Sequence, residues 1–135
     1  LTRGTGRAHI ARAALEAIAL QVSDVLTTLQ SDLGRPLQTL RVDGGAARNA
    51  LLMQLQADLA GLVLQRAAQP ETTALGAALL AGLGAGVWQN LDAVRQLWQQ
   101  DHQFYPAGDA AAIAQLQTRW RAGVARARGW AEIGI

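Results

Sequence analysis

The pattern of apolar and polar positions opens with a long stretch of helical spacing over residues 9–33. Apolar residues recur there at steps of three and four, the stripe of an amphipathic helix, namely Ile10, Ala14, Ala17, Ile18, Val25, Leu26, Leu29 and Leu33. Thr5 is a suitable N-terminal cap, and Gly34 followed by Pro36 ends the helix. The pattern therefore predicts one long helix.

Short strands and a second helix follow. Residues 37–42 alternate partly between apolar and polar, which predicts a strand. Residues 47–60 return to helical spacing and end at Gly61. The apolar residues 62–64 predict a second, brief strand.

Small apolar residues dominate the segment 74–86, beyond a turn at residues 69–71. Thr72 or Thr73 is the expected cap of a helix there. A membrane span needs roughly 20 apolar residues, so this run is too short to be one. Each internal glycine costs a helix about 1 kcal/mol relative to alanine, so we predict a buried helix against which neighbouring backbones pack closely.

The last third of the sequence predicts two more helices. Residues 92–99 form a short one, and Asp109 caps a final helix that runs to about Trp130. Residues 101–108 show neither helical nor strand periodicity and are predicted to be irregular, with residues 104–106 extended.

The order helix, strand, helix, strand, helix predicts an α/β fold with parallel strands in one domain, residues 1–135. Two short strands make a poor sheet, because their edges and apolar faces need partners. We therefore expect that the first strands of the sheet precede residue 1 or come from another chain. Unpaired strands also favour a homo-oligomer.

The amino-acid composition excludes several classes of function. All 12 basic residues are Arg, and the formal net charge is only +2. P-loops and protein kinases need a Lys at the phosphates, so both are excluded within this segment. The arginines are scattered except for a tail group that we interpret as a solvated helix face, so we expect no nucleic-acid partner and no membrane association: Arg119, Arg121, Arg126 and Arg128.

Two further absences in the sequence bear on its chemistry. The chain has no cysteine and no secretory signal over residues 1–20, which fits a cytoplasmic protein. His9 and His102 are too far apart in sequence, and too poorly supplied with carboxylates, to suggest a metal site.

The turn Asp43-Gly44-Gly45 is the most informative local feature. Two glycines between a strand and a helix allow left-handed backbone angles and leave room for a ligand. The helix that follows would direct free N–H groups and its positive dipole end towards the turn, which suits a phosphate or a nucleotide. Asn49, predicted one turn into that helix, offers a donor and an acceptor. The alternatives are an ordinary turn and a locally capping Asn.

A second candidate is the segment 71–78, Glu-Thr-Thr-Ala-Leu-Gly-Ala-Ala. Capping hydroxyls at a helix start, with Gly76 just inside, would let a backbone or a ligand pass close by. Ordinary helix capping explains the threonines equally well.

Taken together, these segments resemble the C-terminal domain of the FGGY carbohydrate kinases over nearly the whole length. The residues that carry the resemblance are the 41–46 run Arg-Val-Asp-Gly-Gly-Ala with Asn49, Met53-Gln54, Ala57-Asp58, the 71–78 segment, and Gly86 with Trp88. Asp-Gly-Gly together with Met-Gln and Gly-x-Trp is more similar to the branch that phosphorylates glycerol than to the branch that phosphorylates xylulose.

The resemblance implies a helix-rich, partial ribonuclease-H-like domain of the actin-like ATPase fold, with the active site between two such domains. It implies that ATP or ADP contacts Gly44 and Gly45 and that the base contacts Asn49. The general base, the Mg²⁺ loops and most of the glycerol pocket would lie in the other domain. We therefore expect no catalytic or metal-binding residue here, and no activity from this segment alone.

Two other functions remain open at this stage. One is a part of another FGGY kinase, acting on a pentulose such as xylulose or on a different polyol. The other is a helical interaction module without any nucleotide function.

Overall fold

Helices and strands alternate along the chain in the computed structural model, which describes residues 2–128. The elements in chain order are α1 (Arg7–Leu33), β1 (Thr39–Val42), a 3₁₀ helix (Gly45–Arg48), α2 (Ala50–Ala60), β2 (Val63–Ala67), α3 (Thr72–Gly84), α4 (Leu91–Arg95), β3 (Gln100–Phe104) and α5 (Ala110–Ala127). The predicted α/β class is confirmed.

The three strands form one sheet in the order β1-β2-β3. β1 and β2 are parallel and are joined through α2, as the alternation predicted, whereas β3 pairs with β2 in the antiparallel sense. The prediction of an irregular segment over residues 101–108 was wrong where β3 lies. Its sequence Gln-Asp-His-Gln-Phe is polar except for Phe104, and only that residue is buried, so the pattern gave no apolar alternation to detect.

The core forms where α2 packs between the sheet and α1. Residues Leu52, Leu55, Gln56 and Leu59 of α2 are all buried, in the phase that the sequence predicted. Leu64 of β2 is 0% exposed and is the largest fully buried side chain among the described residues. Burial of these side chains removes apolar surface from water at about 25 cal/mol per Å², so this layer supplies the main stabilisation.

A glycine ends each of the helices α1 and α2. Gly34 and Gly61 take left-handed backbone angles, with φ of 63° and 64°, which confirms both predicted helix ends. The predicted cap at Thr5 was wrong by one residue. Gly6 is the N-cap of α1, and its N–H donates to Nδ1 of His9 at 3.1 Å, while the Thr5 hydroxyl accepts from the Thr2 N–H.

Helix α5 contacts both α1 and α2. Asp109 caps α5, as predicted, by accepting from the Ala112 N–H at 2.9 Å. The indole Nε1 of Trp120 donates to Oδ2 of Asp24 on α1 at 2.7 Å. The tail arginines are exposed, as predicted, and the expected helix end near Trp130 lies outside the described residues.

Helix α3 contradicts the prediction of a buried helix, because it has no buried residue. Leu80 is 59% exposed, and α3 packs mainly on the short α4. Only one of its glycines has a close neighbour: a Cβ at Gly82 would meet Nε1 of Trp88 at 2.8 Å, whereas one at Gly76 would meet nothing within 4 Å. Within residues 2–128 no helix is long and apolar enough to cross a membrane.

Truncation of the central strand residue tests this account of the core. We expect Leu64→Ala to lower the free energy of unfolding of the chain by about 3 kcal/mol, because it leaves a cavity in the hydrophobic core. The measurement is urea unfolding followed by circular dichroism. Leu80→Ala is the matched control on an exposed position and should change it by less than about 0.5 kcal/mol. Equal losses in the two variants would contradict the assignment of the core.

Candidate functional site

Two parallel strands end at the same edge of the sheet, and the candidate site lies there. β1 ends at Val42, which is level with Arg66 near the end of β2. The segments that leave the two strands are joined directly, since the Gly44 N–H donates to the Pro70 carbonyl at 3.2 Å. Loops at the carboxyl ends of parallel strands are the usual ligand sites of α/β folds.

The segment 44–49, called here the glycine turn, has a conformation that only glycine adopts readily at its start. Gly44 has φ of 82°, a region that L-residues with a side chain rarely occupy. Gly45 opens the 3₁₀ helix with an ordinary φ, and a Cβ there would meet nothing within 4 Å. Ala47 is 3% exposed and anchors the turn in the core.

The geometry departs from the prediction in one respect. We expected the helix after the turn to direct its N-terminus at the glycines, but the 3₁₀ helix intervenes and α2 begins only at Ala50. Gly44 is therefore the N-cap of the 3₁₀ helix and Gly45 its first residue, and neither lies at the N-terminus of α2. What the turn offers to a ligand is exposed backbone with space above it.

Asn49 lies at the N-cap of α2 and not one turn inside it, as the sequence had suggested. Its Oδ1 accepts from the Leu52 N–H at 3.1 Å, so the local capping role is observed. The cap uses only the side-chain oxygen, and the amide nitrogen takes no part in it. Asn49 is exposed at the end of the glycine turn, so a contact of its NH₂ group with a ligand is compatible with the cap.

A pocket of about 320 Å³ adjoins the glycine turn. Gly44, Arg48, Arg66 and Asp101 are among the residues that line it. Gly45 and Asn49, which the sequence singled out with Gly44, are outside this lining. The Arg48 guanidinium and the open backbone give the pocket polar groups suited to a phosphorylated or nucleotide ligand. The carboxylates of Asp43 and Asp101 also line it, and the Arg66 guanidinium is engaged by Asp101.

Arg66 and Asp101 are the site residues that sequence reasoning missed. Oδ2 of Asp101 lies 2.6 Å from one terminal guanidinium nitrogen (NH2) of Arg66, and Arg66 also donates to the Ala47 carbonyl inside the glycine turn at 3.3 Å. Nothing in the sequence pointed to this pair, because β3, which carries Asp101, was not predicted.

The second candidate segment, residues 71–78, has a different geometry from the predicted one. Glu71 is the N-cap of α3 and makes no side-chain cap, so the expectation of a capping threonine was wrong. Thr72 instead lines a neighbouring pocket of about 250 Å³ beside Arg41 and Trp98. The Arg41 guanidinium lies 4.1 Å from the centre of the Trp98 ring, a distance typical of a cation–π contact.

A metal centre is not found in the part of the chain that the structure describes. No group of three or more His, Asp or Glu residues lies close enough to hold an ion. His9 is in the first turn of α1 and His102 is in β3.

Comparison with known proteins gives a consistent family pattern. The pattern of the C-terminal domain of the FGGY family of carbohydrate kinases matches residues 1–85. The glycerol kinase of Aromatoleum aromaticum is 57% identical over 130 residues, 96% of this chain and 26% of that protein. The chain thus spans about a quarter of the length of the curated relatives it matches.

Solved structures agree on the fold. The crystal structure of Plasmodium falciparum glycerol kinase with ADP has a TM-score of 0.81 and 37% identity, and the match covers 93% of this chain and 25% of that one. The ligand-bound xylulose kinase of Lactobacillus acidophilus has a TM-score of 0.82 at 24% identity, covering 99% and 28%. These neighbours are sugar and polyol kinases of the actin-like ATPase fold, which confirms the predicted fold family.

The two glycines of the turn should differ in how well they tolerate a side chain, and this difference tests the conformation of the turn. We expect Gly44→Ala to lower the free energy of unfolding by about 1–2 kcal/mol, because alanine strains at the left-handed φ. Gly45→Ala, with an ordinary φ and open space, should change it by less than about 0.5 kcal/mol. Urea unfolding of both variants decides the matter. A larger loss at Gly45 than at Gly44 would contradict the described turn.

Proposed function

Because the chain belongs to the FGGY family of carbohydrate kinases, we propose that it is the nucleotide-binding, C-terminal portion of a glycerol kinase. The complete protein would transfer the γ-phosphoryl group of ATP to a terminal hydroxyl of glycerol, giving glycerol 3-phosphate. The observation that carries the proposal is the glycine turn beside its pocket, in a chain 57% identical to a glycerol kinase. The family pattern matches residues 1–85, and we propose that the same domain continues through residues 86–135.

The glycine turn supplies the proposed nucleotide contacts. At Gly44 and Gly45 the open space where side chains would stand leaves room for adenosine to approach the main chain. Asn49 would donate from its amide nitrogen to the base while its oxygen continues to cap α2. A related glycerol kinase was crystallised with ADP, which supports the assignment of a nucleotide to this fold.

The role of this chain in catalysis is to bind and orient. ATP, when bound, supplies the phosphoryl group, and catalysis of such transfers rests mainly on positioning and charge stabilisation. We assign no metal ligand and no catalytic residue to this chain, as the family resemblance implies. The general base, the Mg²⁺ site and most of the glycerol pocket are proposed to lie in an N-terminal domain.

The exposed apolar surface of α3 supports the same architecture. Leu75 and Leu80 are 39% and 59% exposed on a helix whose composition suits close packing. We propose that this helix packs against other parts of the complete kinase. We also propose that the complete kinase, which would use ATP, works in the cytoplasm. The outer edges of β1 and β3 are available for pairing, and we propose a homo-oligomer.

A capping-neutral substitution tests the role of Asn49. In the complete protein, Asn49→Asp keeps the capping oxygen but removes the amide donor. We expect the KM for ATP to rise about tenfold, the equivalent of roughly 1.4 kcal/mol, with kcat changed less. Steady-state kinetics with varied ATP measures this effect.

Asn90→Asp is the matched control, because Asn90 caps α4 in the same way, by accepting from the Ala93 N–H at 2.9 Å. It should leave the KM for ATP unchanged. An unchanged KM in Asn49→Asp as well, or an equal rise in both variants, would remove Asn49 from the site.

A substrate panel tests the identity of the acceptor. We expect the complete protein to phosphorylate glycerol with a kcat/KM at least about a hundredfold above that for xylulose, since a site that hydrogen-bonds particular hydroxyls rejects the wrong polyol strongly. A coupled assay of ADP release measures both. A preference for xylulose would favour another FGGY kinase, and the absence of turnover with glycerol would contradict the proposed acceptor.

A further inference from the structure

The glycine turn is held from outside by one arginine of the neighbouring strand, and we propose that Arg66 is a positioning residue for nucleotide binding. The inference rests on the proposed function but adds a residue that lies outside the glycine turn. Arg66 would not contact the nucleotide chemically. It would fix the backbone of residues 44–49 in the shape that receives it.

The position of Arg66 follows from the sheet. It pairs with Val42, the last residue of β1, so its side chain starts level with the point where the chain leaves the sheet to form the glycine turn. One terminal guanidinium nitrogen, NH1, donates to the Ala47 carbonyl at 3.3 Å. Ala47 is the midpoint of the turn, between Gly45 and Asn49.

The other side of the guanidinium is held by β3. Nε and the second terminal nitrogen, NH2, lie 2.7 and 2.6 Å from the same oxygen, Oδ2 of Asp101. The guanidinium also lies 5.5 Å from the centre of the ring of Phe104, which is 6% exposed. The Arg66 side chain is only 21% exposed and is held by Asp101 and Phe104, while its NH1 group donates to the turn.

A sheet irregularity places the carboxylate. Arg66 pairs with His102 and the next residue, Ala67, pairs with Gln100, so Asp101 is the extra residue of a bulge in β3. Bulges change the direction of the local side chain, and here the residue without a strand partner is the one that meets the guanidinium. An arginine suits this place because its planar fork makes several hydrogen bonds in fixed directions, which a lysine does not do.

These contacts connect strand pairing to the glycine turn. The turn is also fixed by the Gly44 N–H bond to Pro70 and by the buried methyl group of Ala47. Arg66 adds a charge-assisted hydrogen bond at the centre of the turn, where the backbone is otherwise a single short 3₁₀ helix. Without this bond, the turn would sample more conformations, and nucleotide binding would have to restrict them.

The test uses the complete protein and isothermal calorimetry with ADP. We expect Arg66→Met to weaken ADP binding about five- to thirty-fold, with the KM for glycerol within about twofold of the wild type. Arg66→Lys keeps the charge and should recover only part of the affinity, and Asp101→Asn should lose part of it. Arg95→Met is the control, because Arg95 forms an exposed ion pair with Asp92 at 2.7 Å, away from the turn, and should leave ADP binding unchanged.

Hydrogen exchange measured by mass spectrometry on the same proteins supplies a second readout. Amides of residues 44–49 should exchange faster in Arg66→Met than in Arg95→Met, with β2 itself unchanged. The proposal would be overturned if Arg66→Met bound ADP within twofold of the wild type. It would also be overturned if residues 44–49 exchanged no faster in Arg66→Met than in Arg95→Met. If the wild type itself binds no ADP, the proposed function fails, and the exchange comparison alone decides whether Arg66 positions the turn. Should Arg66→Met not fold, Asp101→Asn carries both measurements, since Asp101 is 49% exposed on its side chain.

Discussion

The parallel pairing of β1 with β2 is the constraint on which the rest of the structure depends. Parallel strands need a crossover, and α2 provides it by running from the carboxyl end of one strand to the amino end of the next. The same helix buries its apolar face between the sheet and α1, so the crossover helix also supplies much of the hydrophobic core. Because both strands end at one edge, the segments that leave them meet there, and the site forms where they meet.

The fold around the crossover was largely predictable, because its sequence signals are local. Helical spacing and a terminal glycine identified α2, and the glycine after α1 did the same for that helix, and both glycines have φ near 64° in the structure. Gly44 was recognisable because its left-handed φ requires a residue without a side chain. Asn49 was found as a polar residue near the turn, although its place at the N-cap depends on the length of the 3₁₀ helix, which no pattern encodes.

What the sequence did not reveal depends on contacts between distant residues. β3 has only one buried side chain, so it exists as a strand because β2 offers it an edge and not because of its own periodicity. The Arg66–Asp101 pair depends in turn on that strand and on the bulge within it. α3 shows the converse: its composition indicated burial, yet burial needs a partner surface, and within residues 2–128 α3 packs mainly on the short α4.

The central claim is that the edge formed by the glycine turn receives the adenosine end of ATP. A crystal structure of the complete protein with ADP tests this most directly. The account predicts that the nucleotide contacts the main chain at Gly44 or Gly45 and the amide nitrogen of Asn49, with Arg66 still bonded to the Ala47 carbonyl. ADP bound in a full-occupancy site that leaves residues 44–49 untouched would contradict it.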